Sequence, residues 1–112
     1  MVERVFEKPV KVSLKYERSL DEIFCYSFET FGEVQAVRYR QKIMNAVETL
    51  SVYYSSYPPC RHIPTKTHKY RNIILDAHLL IYRVTNERIE VLDIVHQASS
   101  ISKIQKVRSI RL

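Results

Sequence analysis

The sequence predicts an α+β fold: a two-helix hairpin packed on a small, mainly antiparallel four-stranded sheet. The element order is β-α-α-β-β-β, followed by a C-terminal tail. Three observations predict it. Residues 10–17 alternate apolar and polar at period two. Residues 20–57 place apolar side chains at spacings of three and four, interrupted at the only glycine, Gly32. Residues 70–95 fall into three β-branched, aromatic-rich runs separated by short polar turns. An apolar helical hairpin and an apolar sheet face bury each other, which is the two-layer solution.

Each element follows in order. Val10, Val12, Leu14 and Tyr16 alternate with Lys11, Ser13, Lys15 and Glu17, a half-buried strand. Ser19-Leu20-Asp21-Glu22 reads as a capping box, which starts the first helix at Ser19. Leu20, Ile23, Phe24, Ser27, Phe28 and Phe31 form its stripe, with the three phenylalanines read as core. Gly32 then supplies a left-handed residue at low steric cost.

The second helix spans Glu33 to Tyr57, with Ala36, Val37, Ile43, Met44, Val47, Leu50 and Tyr54 inward. Arg40 interrupts that stripe and either snorkels or pairs. Pro58-Pro59 stops the helix, because neither proline donates the next hydrogen bond. Tyr53, Tyr54 and Tyr57 are either helix-end packing or an aromatic patch for a partner.

Residues 60–69 are polar and basic, a loop or a ragged edge strand. Tyr70–Leu75, His78–Val84 and Ile89–Val95 make the meander. With Asn86-Glu87 at the second tip, Arg83 stands opposite Glu90, and Leu79, Ile81, Leu92, Ile94 and His96 share that face. The first turn, Asp76-Ala77, has no clear hairpin dipeptide, so the face of Arg71 stays open. In the tail, Ile101, Ile104, Val107 and Ile110 recur every third residue among Lys103, Lys106, Arg108 and Arg111. It reads as a short helix or strand-like arm, weakly stable alone. One domain is expected over 1–112, with its core at 10–98 and a basic tail at 99–112.

Composition narrows the class. The chain has 112 residues, 46% hydrophobic and 27% charged, which disfavours disorder. No apolar run, Leu79–Tyr82 included, approaches the ~20 residues a membrane helix needs. Met1-Val2-Glu3-Arg4 has no apolar signal region. Two cysteines, Cys25 and Cys60, make no disulfide framework. A reduced, cytoplasmic protein without a membrane partner is expected.

The net charge of +6 is unevenly placed. Residues 1–57 hold 8 Lys+Arg against 8 Asp+Glu, whereas residues 58–112 hold 10 against 4. All four histidines, His62, His68, His78 and His96, also lie in the second half. Such a surface suits RNA, DNA or an acidic protein, or serves solubility alone.

Familiar catalytic signatures are absent. A single glycine excludes a phosphate-cradling loop or a dinucleotide fingerprint, so no cofactor is expected. Cys60, His62 and His68 lack the spacing of a zinc site, and no metal is expected. Arg61, Lys66, Lys69, Arg71, Arg83 and His96 remain. Attack of a ribose 2′-hydroxyl on its own phosphate needs a base, an acid and cations for the crowded transition state. Arg71, Arg83 and His96 are the candidates for that chemistry, with Arg61, Lys66 and Lys69 gripping phosphates or a partner. Each has a plainer reading: Arg83 pairing with Glu90, His96 hydrogen-bonded at a strand end, the loop cations solvated.

Over residues 10–98 this pattern resembles the RelE/ParE toxin superfamily of type II toxin–antitoxin systems, the plasmid stabilisation proteins. The segments that carry the resemblance are KVSLKYERSLDEIF, EVQAVRYRQKIMNAVETLSVYYSSYP, PPCR, YRNIIL, HLLIYRV and RIEVLDIVH. It implies a growth-inhibiting toxin neutralised by an acidic, partly disordered antitoxin that also carries the DNA-binding part, so operator DNA is reached only indirectly. RelE-like members cut mRNA on the ribosome, which would employ Arg71, Arg83 and His96. ParE-like members bind DNA gyrase without catalysis. Leu79 stands where RelE-like chains usually carry an arginine, and Gln97 follows the terminal His96 where RelE-like and ParE-like chains alike often carry one. The wording of HLLIYRV and LDIVH is closer to the ParE side. The reading therefore leans to gyrase inhibition, with ribosome-dependent mRNA cleavage the alternative and a non-toxic binding remnant the third.

Overall fold

In a computed structural model of the chain, residues 7–112 are described, and the reading of Met1-Val2-Glu3-Arg4 lies outside them. The elements are β1 (Val10–Val12), α1 (Leu14–Phe31), α2 (Glu33–Tyr53), β2 (Tyr70–Ile74), β3 (His78–Val84), β4 (Ile89–His96) and α3 (Ile101–Lys106). A 3-10 turn at Val107–Ser109 follows. The expected order β-α-α-β-β-β and the α+β class are both present.

The start of α1 differs from expectation. β1 stops after three residues because Ser13 caps the helix: its hydroxyl accepts from the Tyr16 N–H at 2.9 Å. The Ser13 N–H also donates to the Val91 carbonyl at 2.9 Å, tying the cap to β4. Leu14 and Tyr16 thus begin a helix, and Tyr16, Leu20, Ile23 and Ser27 line its inner face. The alternation does not survive into the helix, since Tyr16 turns inward while Leu14 is 70% exposed, and a cap anchored to the sheet selects the helix. Ser19 is not a cap; it is buried and its hydroxyl donates to the Asp93 carboxylate.

Gly32 has φ +91°, a conformation that side chains resist, and it links α1 to α2 in one residue. α2 ends at Tyr53, four residues before the expected Tyr57, and Tyr54–Ser56 turn away before the prolines. Among the described residues, no layer covers the loop end of the hairpin. Phe28, Phe31, Val34 and Val37 are 49% to 66% exposed, so Phe28 and Phe31 are not core. Arg40 lies over the Phe24 ring, 5.4 Å from its centroid.

The strands run β1-β4-β3-β2, with β1 parallel to β4 and the other pairs antiparallel. Arg83 stands opposite Glu90, as the turn at Asn86-Glu87 requires. Beyond it the register shifts: Tyr82 faces Val91 but Ile81 faces Asp93, leaving Leu92 as the extra residue of a bulge. The expected shared face therefore breaks. Leu79, Ile81 and Leu92 stay together on the face away from the hairpin, while Ile94 joins the hairpin-side core with Leu80 and Tyr82.

The sheet is buried on both faces. On one side Tyr16, Leu20, Ile43 and Leu50 of the hairpin pack on Ile73, Leu80, Tyr82, Ile89, Val91 and Ile94. On the other, Cys60 and Ile63 of the loop and Ile104 and Val107 of the tail cover Tyr70, Ile81, Leu92 and Val95. The expected two layers are three, and the tail is an ordered part of the third. Burial on both faces explains why every residue from Ile89 to Val95 is inaccessible.

Asp93 is the charged group this layering compromises. Burial pushes its carboxyl up, against hydrogen bonds from the Ser19 hydroxyl and the Ile94 N–H and the nearby Lys15 and Lys103. An acid with a raised folded value stabilises least when ionised. Asp93→Asn keeps an acceptor oxygen for both donors. It is expected to raise the urea midpoint at pH 7, with the gain shrinking as the pH falls into the ordinary aspartate range.

Candidate functional site

Two open clefts lie at the two ends of the β3–β4 hairpin. The first, about 700 Å³, is bounded by Ile23, Tyr26 and Phe31 of α1, Arg38 and Tyr39 of α2, and His78 and His96 of the sheet. Its walls are mainly apolar because the hairpin end reaches it uncovered. A polar knot closes its floor. The Tyr39 hydroxyl and His78 Nδ1 are 2.7 Å apart, and the rings of His78 and His96, paired across β3 and β4, are 5.4 Å apart. Lys42 pairs with Asp76 at 2.9 Å on the rim.

This knot sets the charge state of His78. Burial lowers its affinity for a proton and the facing His96 lowers it further, against the opposing Asp76. Tyr39 is pushed up by burial and stays a hydroxyl. A histidine with a lowered folded value gives stability that is full above its ordinary titration, near 6.5, and lost as the pH falls from there through the lowered value. NMR titration is therefore expected to place the His78 midpoint below that of an unstructured histidine. A midpoint at or above the ordinary value would mean the knot is not formed.

The second cleft, about 660 Å³, lies at the opposite end and is bordered by Lys8, Tyr54, His68, Lys69, Tyr70, Arg71 and Arg83. Arg71 and Arg83 border it from different faces of the sheet, since Arg71 is opposite Tyr82 and Arg83 opposite Tyr70. Neither guanidinium is free. Arg71 donates to the Tyr57 carbonyl at 2.6 Å, securing the chain after α2. Arg83 pairs with Glu90 at 2.6 Å, stacks over the Tyr70 ring and donates to the tail carbonyls of Arg108 and Ile110 at 3.3 and 3.2 Å. Burial alone would raise the Glu90 carboxyl, but hydrogen bonds and charge from Arg83 and Arg88 hold it below the usual range.

The structure thus does not unite the three candidates for RNA cleavage. His96 pairs with His78 at one end of β3, whereas Arg83 sits five residues further along the same strand. The His96 Nδ1 accepts the Ala98 N–H at 3.0 Å, so His96 closes its own strand end. Lys69 reaches the second cleft and lies over Tyr70 at 5.5 Å, while Arg61 and Lys66 are exposed on the loop outside it. Cys60 is buried and its thiol is pushed up, which disfavours a thiolate. Among the described residues, no three His, Cys, Asp or Glu side chains are grouped to hold a metal. No described helix is long and apolar enough to cross a membrane.

The sequence reading gives Tyr39, His78, Lys42 and Asp76 no role in a site. The one signal was Tyr39 at helical spacing between Ala36 and Ile43. Its contact with His78, 39 residues on, depends on packing alone.

Comparison with known proteins agrees with this architecture. Residues 10–101 match the sequence model of the ParE toxin of the type II toxin-antitoxin system, parDE. Toxin ParE1 of Caulobacter vibrioides (strain ATCC 19089 / CIP 103742 / CB 15) is 26% identical over 91 residues, 81% of this chain and 91% of the relative. A solved structure described as a chromosomal ParDE TA system from P. aeruginosa superposes with a TM-score of 0.67 at 20% identity. The match covers 81% of this chain and 97% of that one. On the extent of the family match, which spans every strand and both long helices, the chain belongs to the ParE toxins of type II toxin–antitoxin systems.

Proposed function

We propose that this toxin arrests growth by binding DNA gyrase, as a protein-binding poison without catalysis of its own. One observation carries the choice: Arg71, Arg83 and His96 are each committed to a structural partner and do not converge on one point. A ribonuclease needs its acid, base and cations within reach of one phosphate. Lys69, Arg71 and Arg83 around the second cleft support ribosome-dependent mRNA cleavage as the rival reading.

The partner that restrains the toxin is a cognate antitoxin, acidic and partly disordered, acting in the cytoplasm. The first cleft suits it: an ordering segment gains most by burying apolar side chains against Tyr26, Phe31 and Ile23. Its acidic residues then meet Arg38 on the rim, where Lys42 is already paired with Asp76. Operator sequence is read by the antitoxin.

Induction of the gene alone is expected to stop growth, and co-expression of a neighbouring short acidic reading frame to restore it. The purified chain is expected to inhibit gyrase supercoiling and to leave mRNA on purified ribosomes intact. Codon-positioned cleavage would overturn the gyrase reading. Unchanged growth on induction would remove both. Arg38→Glu is expected to weaken the toxin–antitoxin complex about tenfold, or ~1.4 kcal/mol, by placing like charge at the rim. Calorimetric titration against the antitoxin measures it.

A further inference from the structure

We propose that the layer behind the sheet, made of residues 60–69 and the C-terminal tail, binds duplex DNA directly through its phosphate backbone. The two segments are distant in sequence but share one apolar cluster, through Cys60 and Ile63 on one side and Ile104 and Val107 on the other. Their outward side chains are Arg61, Lys66, Lys69, Lys103, Lys106, Arg108 and Arg111, all exposed. None is ion-paired among the described residues, whereas Lys42, Arg83 and Arg88 elsewhere have carboxylate partners. Residues 60–71 and 97–112 contain no Asp or Glu at all. Lys103 does lend charge to Asp93, which lies beneath it in β4.

The cations stand on a fixed frame. Ile104 and Val107 are 2% and 3% exposed, Ser100 caps α3 by accepting the Lys103 N–H at 3.1 Å, and Arg83 holds the carbonyls of Arg108 and Ile110. A mobile tail would lose part of its binding energy on ordering, and this one is already ordered.

Duplex DNA is the polyanion that fits. Proteins that hold single strands stack bases on aromatic rings. Residues 60–69 and 97–112 contain no Phe, Tyr or Trp, and Tyr70 is buried beneath Arg83. α3 has only six residues, too short to seat a reading helix in a groove, so the contact is independent of sequence. Operator recognition stays with the antitoxin. An acidic polypeptide is the competing ligand, and displacement by polyglutamate tests it. The cleft assigned to the antitoxin opens on the hairpin side of the sheet.

The test is fluorescence anisotropy of the full chain with a labelled mixed-sequence duplex of about two helical turns, across roughly 50 to 200 mM salt. Binding is expected, with log affinity falling linearly against log salt. The variant K103Q/K106Q/R108Q/R111Q is expected to flatten that slope by up to about 3.6, since each cation contributes about 0.9. The loop variant R61Q/K66Q/K69Q flattens it independently, and it keeps the test open if the tail variant is unstable by thermal melting. Absence of binding at low salt, or slopes unchanged in both variants, would overturn the proposal. So would equal affinity for a single strand of the same length, or equal displacement by polyglutamate at matched charge.

Discussion

Tyr82→Ala is expected to destabilise the fold by about 3–5 kcal/mol, the range for removing a large buried ring. At this chain length that lowers Tm by about 15 °C or more. Tyr82 is fully buried, meets Tyr57 edge to face at 6.4 Å between centroids, and lies in the hairpin-side core with Leu50 and Leu80. Its hydroxyl donates to the carbonyl of Tyr54, where α2 has just ended. Burial pushes that hydroxyl well above the usual phenol range, so it remains a donor at every working pH. Tyr82→Phe keeps the ring and loses only the hydrogen bond, at about 1 kcal/mol. Chemical denaturation of both variants separates packing from capping. Equal losses would show that the hydrogen bond, and not the ring, anchors the hairpin.

Glu90→Gln is expected to cost about 2–3 kcal/mol, below the full 3–5 for breaking a buried pair because Arg88 is partly solvated. The Glu90 side chain is 8% exposed and is shared by Arg83, 16% exposed, and Arg88, 36% exposed. Glutamine leaves two cations facing a neutral amide. The pH dependence gives a second reading. Because the arginines hold the Glu90 carboxyl below its ordinary value, its stabilisation is complete above about pH 4.3 and is lost as the pH falls through the lowered value. The stability difference between wild type and variant is therefore expected to shrink as the pH drops below about 4. A constant difference would remove the ion pair as its cause. Both arginines of the second cleft hold structural partners: Arg83 fastens the tail and Arg71 fastens the segment after α2. This is the physical ground for reading the protein as a binding toxin.

The site was legible only in part. Arg83 opposite Glu90 followed from a turn four residues long, because short hairpin loops fix the register of the strands beside them. Arg71 was not assignable. Its face depends on the Asp76-Ala77 turn, and the structure places it with Tyr82 on the hairpin side. Alternation carried through Leu92 puts Ile94 on the wrong face, because β4 holds an extra residue there. The error at Ser19 has a similar root. Its spacing to Glu22 satisfies a capping pattern, but Ser13 reaches both the helix end and the β4 carbonyls.

By itself the sequence determined the order β-α-α-β-β-β, the hairpin turn at Gly32 and the basic half of the chain, because periodicity, caps and charge act over a few residues. The tertiary structure decided which faces Arg71, Ile94 and His96 occupy, how Tyr39 meets His78, and that the tail seals the second face of the sheet. Those outcomes rest on register and packing between segments tens of residues apart. There a shift of one residue exchanges the two faces of a strand, and local pattern carries no record of it.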